Sequence, residues 1–226
     1  MTLLLEQPDA GFAPDTNRSQ PSRLDRGIAA LRGDIRRMIT DTSRMLRDAL
    51  IALHTGNTAL AEAVVLRDDA VDAWEQCLET QAIRLVAAHQ PLASDLRFVG
   101  NTLKVTTDIE RIADHAVNIA HIAMRLKKCS HQTPMPLEIE RMGNLAIDLL
   151  CATAEAFAQG DAAAAQTVVD RDDEMDVLYR EAQTELRYRM RTEPEQSVAA
   201  SHLLFVAHYL ERVGDHCANV AERVAV

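Results

Sequence analysis

Apolar residues recur at alternating steps of three and four along most of the chain. Near its end the row is Leu203, Val206, Leu210, Val213, Cys217, Val220 and Val224. Earlier, Ile109, Ile112, Ala116, Ile119, Ala123 and Leu126 keep the same step, and Val71, Trp74, Leu78, Ala82 and Leu85 make a third row. This period is the seam of a helix packed against other helices. No proline stands between Pro21 and Pro91, and the later ones are Pro134, Pro136 and Pro194. The stretches between are rich in Ala, Leu, Arg and Glu, which are good helix formers. The pattern predicts six helices, over 23–54, 58–88, 91–128, 137–159, 162–191 and 194–226. Gly56-Asn57 and Gly160-Asp161 suit helix ends, and Pro91 suits a first helical position. Residues 1–21, with Pro8, Pro14 and Pro21 among polar residues, read as a mobile arm.

The chain repeats itself. Val65-Leu66-Arg67-Asp68-Asp69-Ala70-Val71-Asp72 lines up with Val169-Asp170-Arg171-Asp172-Asp173-Glu174-Met175-Asp176. Farther on, the run from Glu110 to Ala120 lines up with the run from Glu211 to Ala221, and Glu, Arg, Asp, His, Asn and Ala recur at the same offsets. The blocks come in the same order in both halves, so the chain is a duplicated three-helix unit. The expected fold is all-α: two tandem three-helix bundles, 22–130 and 131–226, related by internal duplication.

Composition agrees and narrows the function. Of 226 residues, 47% are apolar but only 4% aromatic, so Ala, Leu, Val and Ile must build the core. Eight Gly and seven Pro are too few for the turns of an all-β sandwich. The net charge of −10, from 34 acidic and 24 basic residues, argues against a nucleic-acid partner and against a polybasic membrane anchor. Cys77, Cys129, Cys151 and Cys217 form no CxxC pair, which suits a reducing cytoplasm rather than a disulfide framework. No apolar run is long enough for membrane insertion, and Leu3 to Leu5 is too short for a signal segment.

The carboxylates carry the candidate chemistry. On a helix, positions i, i+4 and i+8 form a stripe that drifts by about 40° per step. Glu110, Asp114 and Asn118 make such a stripe, as do Glu211, Asp215 and Asn219, each roughly opposite its helix's apolar seam. Asp68 and Asp72 form a shorter one, extended by Glu75 and Glu79; Asp172 and Asp176 repeat it, with Tyr179 and Gln183 in place of the extension. Like charges at i and i+4 cost a helix about 0.2–0.5 kcal/mol per pair, and a bound cation would reverse that cost. Carboxylate and amide oxygens are hard ligands, suited to Mg²⁺, Mn²⁺, Ca²⁺ or iron. The expectation is that the second and third helices of each repeat jointly hold metal ions. The plainer alternative is a solvated acidic face paired to Arg67, Arg111, Arg171 and Arg212.

The remaining candidates are weaker. His115 and His216 lie about 100° off the stripe and are expected to be structural or to support the ligands. His121 and His208 fall nearer the stripes. Cys217 and Trp74 read as core. No phosphate-binding glycine loop, HExxH or GxSxG occurs. A ferritin-like metalloenzyme would need inward Glu with Glu-x-x-His, which is absent. A histidine phosphotransfer module and a metal-free helical scaffold are the other rivals.

At these motifs the chain resembles the PhoU family of phosphate-uptake regulators. The residues that carry the resemblance are Arg67–Asp72, Arg171–Asp176, the run Gln90-Pro91-Leu92-Ala93-Ser94-Asp95-Leu96-Arg97 and the two ERxxDHxxN blocks. The resemblance spans about residue 23 to the end. It implies a cytoplasmic, non-enzymatic regulator that acts between the ATPase subunit of a phosphate ABC transporter and a sensor histidine kinase, repressing the starvation response when phosphate is plentiful. It also implies homodimers, and multinuclear iron or other ions (Mg, Mn, Ca or Zn) on carboxylates. Carried onto this chain, the ligands would be Asp68, Asp72, Glu110, Asp114 and Asn118, then Asp172, Asp176, Glu211, Asp215 and Asn219. Residues 1–21 and the end soon after Glu222 depart from the family pattern, as does His121, which stands where the second repeat has Glu222.

Overall fold

The computed structural model describes residues 22–224, and the expected arm over 1–21 lies outside the described residues. Helix α1 spans Arg23–Thr55, α2 Thr58–Val65, α3 Asp68–His89 and α4 Ala93–Leu126. The second half repeats the order with α5 Leu137–Gln159, α6 Ala162–Asp170, α7 Asp172–Thr192 and α8 Ser197–Val224. A single 3-10 turn, Pro194–Gln196, leads into α8, where a helix starting at Pro194 is predicted.

Local chemistry sets the ends. Ser22 Oγ accepts from the Asp25 amide at 3.0 Å while the Asp25 carboxylate accepts from the Ser22 amide at 2.8 Å, a reciprocal capping box. Gly56 and Gly160 close α1 and α5 in the left-handed region, at φ 66° and 65°, where a Cβ would be strained. The next residue caps the next helix in both halves: Asn57 through the Leu60 amide, Asp161 through those of Ala163 and Ala164.

Two predicted helices are each broken in two. The 58–88 helix divides at Leu66-Arg67, and the 162–191 helix divides at Arg171. The break places Asp68-Asp69 and Asp172-Asp173-Glu174 in a first turn, where the positive end of the helix dipole favours acids. One continuous helix would have held the same charges in its middle, without that benefit. The Arg67 guanidinium ties the first break to Asp48 of α1 at 2.6 Å. Pro91 precedes α4 rather than opening it: Gln90 and Ala93 take φ 46° and 45° around it, and the helix starts at Ala93.

Packing joins the halves through their long helices. α1 lies on α4, α4 on α8, α8 on α5 and α5 on α1, so these four close a ring. α3 packs outside on α4 and α1, and α7 outside on α8 and α5. The ring encloses one continuous apolar cluster that includes Ile35, Met38, Leu46, Ile109, Ile112, Ile119, Leu149, Val206, Leu210 and Val213. The predicted seams of α4 and α8 are buried within it. Cys217 is also fully buried, and burial pushes its thiol up to about 12. Trp74 is half-buried and packs on the cluster's edge. The two halves, each of four helices in the same order, thus stand side by side, each with its acidic helix pair on the flank.

Candidate functional site

Each flank holds a crevice between an outer helix and a ring helix. In the first, α3 carries Asp68 and Asp72, and α4 carries Glu110 and Asp114. Burial raises the Asp68 carboxyl above the ordinary range, with Asp72 and Asp114 adding to the shift. Glu110 is pushed up to about 7, by burial first and then by Asp114, with Glu75 and Asp72 adding and Arg111 opposing. Its side chain is 17% exposed, so it is more enclosed than a position on an outer face would be. Four carboxylates from two helices thus repel one another across one crevice.

The second crevice repeats the first. Asp172 is raised by burial, then by Asp215 and Asp176. Glu211 is raised by burial, then by Asp215, with Asp176 and Asp172 adding and Arg212 opposing. Gly214 permits the close approach of α7 to α8: a Cβ there would stand 3.1 Å from Asp172 Oδ1 and 3.2 Å from Met175 Cγ. Ala113 stands at the matching place in the first repeat.

Charge repulsion links Asp68, Asp72, Glu110 and Asp114 in one half, and Asp172, Asp176, Glu211 and Asp215 in the other. Among the described residues no three His, Cys, Asp or Glu side chains close around a common centre. Asp114 also accepts from Arg111 at 3.1 Å, and Asp215 from Arg212 at 2.5 Å. Against these stands Glu211 Oε2, which is buried without a hydrogen-bond partner. The donors are hard oxygens, and their mutual repulsion exceeds what the arginines relieve at Glu110 and Glu211. That chemistry fits a multivalent cation. Asn118 and Asn219 sit half-buried one turn farther along. His121 lies close enough to Asp68 for its charge to oppose that carboxyl's shift, and His208 Nδ1 stands 3.6 Å from Glu211 Oε2.

His115 and His216 are not in the crevices. They meet at the α4–α8 contact, with ring centroids 5.6 Å apart, and His115 also lies 5.6 Å from the Tyr209 ring. Both ring nitrogens of His115 are buried without partners, and burial, then His216 and Arg212, lowers its pKa to about 4. His216 Nδ1 instead stands 3.0 Å from Asp108 Oδ1, while Arg223 donates to Asp108 Oδ2 at 2.6 Å. Sequence reasoning missed this interlock. Its only signal is a departure from the repeat: Asp108 stands where the second half has Tyr209, and Arg223 where the first has Ile122.

These shifts give opposite pH limbs. Within the fold Glu110 keeps its proton up to about 7, whereas the unfolded chain releases it near 4.5. The stability it contributes is full below about 4.5 and lost as pH rises through about 7. His115 stays neutral down to about 4, against 6.5 when unfolded, so its contribution is full above 6.5 and lost as pH falls toward 4. Melting temperatures of the metal-free protein between about pH 4 and 8 check this. The two windows overlap and oppose each other, so Glu110→Gln is expected to remove the fall and leave the rise with pH that His115 sets between about 4 and 6.5; an unaltered profile would contradict the assignment.

The comparisons with known proteins agree with the repeat. The PhoU domain model matches residues 35–123 and again 139–224. A Caulobacter vibrioides protein described as a phosphate-specific transport system accessory protein PhoU homolog is 36% identical over 195 residues, covering 86% of this chain and 85% of that one. A Clostridium acetobutylicum protein of the same description is 34% identical over 196 residues, covering 86% and 89%. Among solved structures, PhoU from Pseudomonas aeruginosa superposes with a TM-score of 0.86 at 29% identity, over 89% of this chain and 97% of that one. The phosphate transport system regulatory protein PhoU from Streptococcus pneumoniae gives 0.84 at 27%, over 89% and 95%. Through both halves, and with the same helical ring, this chain belongs to the PhoU family.

Proposed function

We propose that the chain is a regulatory accessory protein of a phosphate-uptake system. The observation that carries this reading is family membership across both repeats, with relatives described as phosphate transport accessory proteins. In this reading it docks on the ATPase subunit of a phosphate ABC transporter and conveys phosphate sufficiency to a sensor histidine kinase. It works at the cytoplasmic face, as a homodimer and without catalysis, and it represses the starvation response. No helix among the described residues is long and apolar enough to cross a membrane, so docking is the proposed route to the transporter.

Each crevice would hold metal through Asp68, Asp72, Glu110 and Asp114, or through Asp172, Asp176, Glu211 and Asp215, with Asn118 and Asn219 alongside. A cation there would supply charge that holds the outer helix against the ring helix. A specific observation favours a second, metal-free reading: Arg111 and Arg212 already pair with Asp114 and Asp215. In that case the crevices would be ordinary ion-pair surfaces on a scaffold.

The partner test is capture of the ATPase subunit by the purified chain, from cells grown with plentiful and with scarce phosphate. Capture that depends on phosphate supply is the expected result. Absence of capture under both conditions would overturn the regulatory reading, whatever the metal content.

A further inference from the structure

One cavity has the opposite sign to the rest of the molecule. It lies at the end of the ring, where Arg32 of α1, Arg97 and Phe98 of α4, Phe157 of α5 and Arg223 of α8 converge. Its volume is about 200 Å³, below the roughly 300–1,000 Å³ of sites for drug-sized ligands and several times the roughly 30 Å³ of one water. In a chain of net charge −10, its charged lining residues are all arginines. It shares no lining residue with either acidic crevice.

The three guanidiniums differ in how far they are committed. Arg223 is held by Asp108 and by the Asn219 carbonyl, at 2.6 and 2.7 Å. Arg32 lies over the Phe98 ring, 4.6 Å from its centroid, and 5.9 Å from that of Phe157. It donates once, to the Phe157 carbonyl at 2.9 Å, out of five N–H donors. No ion pair joins Arg32 or Arg97 to a carboxylate among the described residues. Burial lowers the Arg32 pKa, and no described carboxylate offsets that desolvation. The two rings are themselves 5.9 Å apart, and Arg97 stands exposed at the rim. Ser94, in the first turn of α4, also borders the cavity, and Leu92 offers that helix no side-chain cap.

We infer that this cavity binds a small oxyanion of the phosphate type, with Arg32 and Arg97 as its cationic ligands and Arg223 as a charged wall. A planar guanidinium fork matches two oxygens of a tetrahedral anion, and an anion here would face two arginines that no described carboxylate pairs. Free phosphate and a phosphomonoester share that chemistry. The site stands on its guanidiniums and does not require the regulatory role.

The test titrates the purified full chain with inorganic phosphate and, separately, with glycerol phosphate, reading heat and melting temperature. Chloride holds the ionic strength constant, and a chelator prevents metal from bridging phosphate to the carboxylates. Saturable binding with a rise in melting temperature is expected. Arg97→Gln, at an exposed position, should weaken Kd by about tenfold or more without lowering the anion-free melting temperature. Arg32→Lys keeps the charge but loses the fork, so it should lie between. Arg84→Gln, an exposed change on α3, should match wild type. Binding of either anion with this variant pattern supports the site, and the stronger of the two names the source. No saturable binding of either, or equal binding by wild type and Arg97→Gln, overturns it. No transporter enters this assay, so its failure leaves the ATPase capture result standing.

Discussion

Asp108→Ala is expected to lower the melting temperature by about 4–12 °C, measured by thermal unfolding. Asp108 is 13% exposed and holds two partners on α8, Arg223 at 2.6 Å and His216 at 3.0 Å. Removing one partner of a buried pair costs about 3–5 kcal/mol, chiefly because the other charge is left unpaired. Arg223 is 27% exposed and would recover some hydration, so about 2–3 kcal/mol is the expected loss. At about 2–4 °C per kcal/mol for a chain of this size, that gives the stated shift. The double variant Asp108→Ala/Arg223→Met should regain part of it, since no orphaned guanidinium remains. A single variant that melts like wild type would mean that the Asp108 interlock adds nothing to the joint between the halves.

The second large effect concerns the crevices. Metal-free wild type should melt below metal-loaded wild type, because loading converts the repulsion among Asp68, Asp72, Glu110 and Asp114 into attraction. A ligand at one hundred times its Kd stabilises by about 2.7 kcal/mol. The variant Asp114→Ala/Asp215→Ala should reverse the order of the metal-free forms. With two repelling charges gone it should melt no lower than metal-free wild type, and added Mn²⁺ or Fe²⁺ should no longer raise its melting temperature. A metal-independent wild type, with no metal found on analysis of protein purified without chelator, would leave the arginine-paired scaffold as the account of these crevices.

Much of the fold was legible because helix signals are local. The seam through Ile109, Ile112 and Ala116 is buried where its period places it, and Gly56 and Gly160 end helices through a conformation that glycine enters without strain. The pairing of Asp68 with Asp114, and of Asp172 with Asp215, was legible because duplication repeats the spacing. The breaks at Leu66-Arg67 and Arg171 were not, since no proline or glycine marks them. They follow from where α2 and α6 pack and from the acids that the following helices take into their first turns.

From the sequence by itself came the number of repeats, the helical class and the acidic stripes, each written within a few turns of chain. The tertiary structure alone decided which faces meet. Asp108 finds His216 and Arg223 at separations of 108 and 115 residues, and Arg32 finds Phe157 at 125. No period encodes such pairings. They arise because closing the ring of α1, α4, α8 and α5 buries apolar seams first, and the polar groups carried along must then be satisfied by whichever neighbours the ring brings to them.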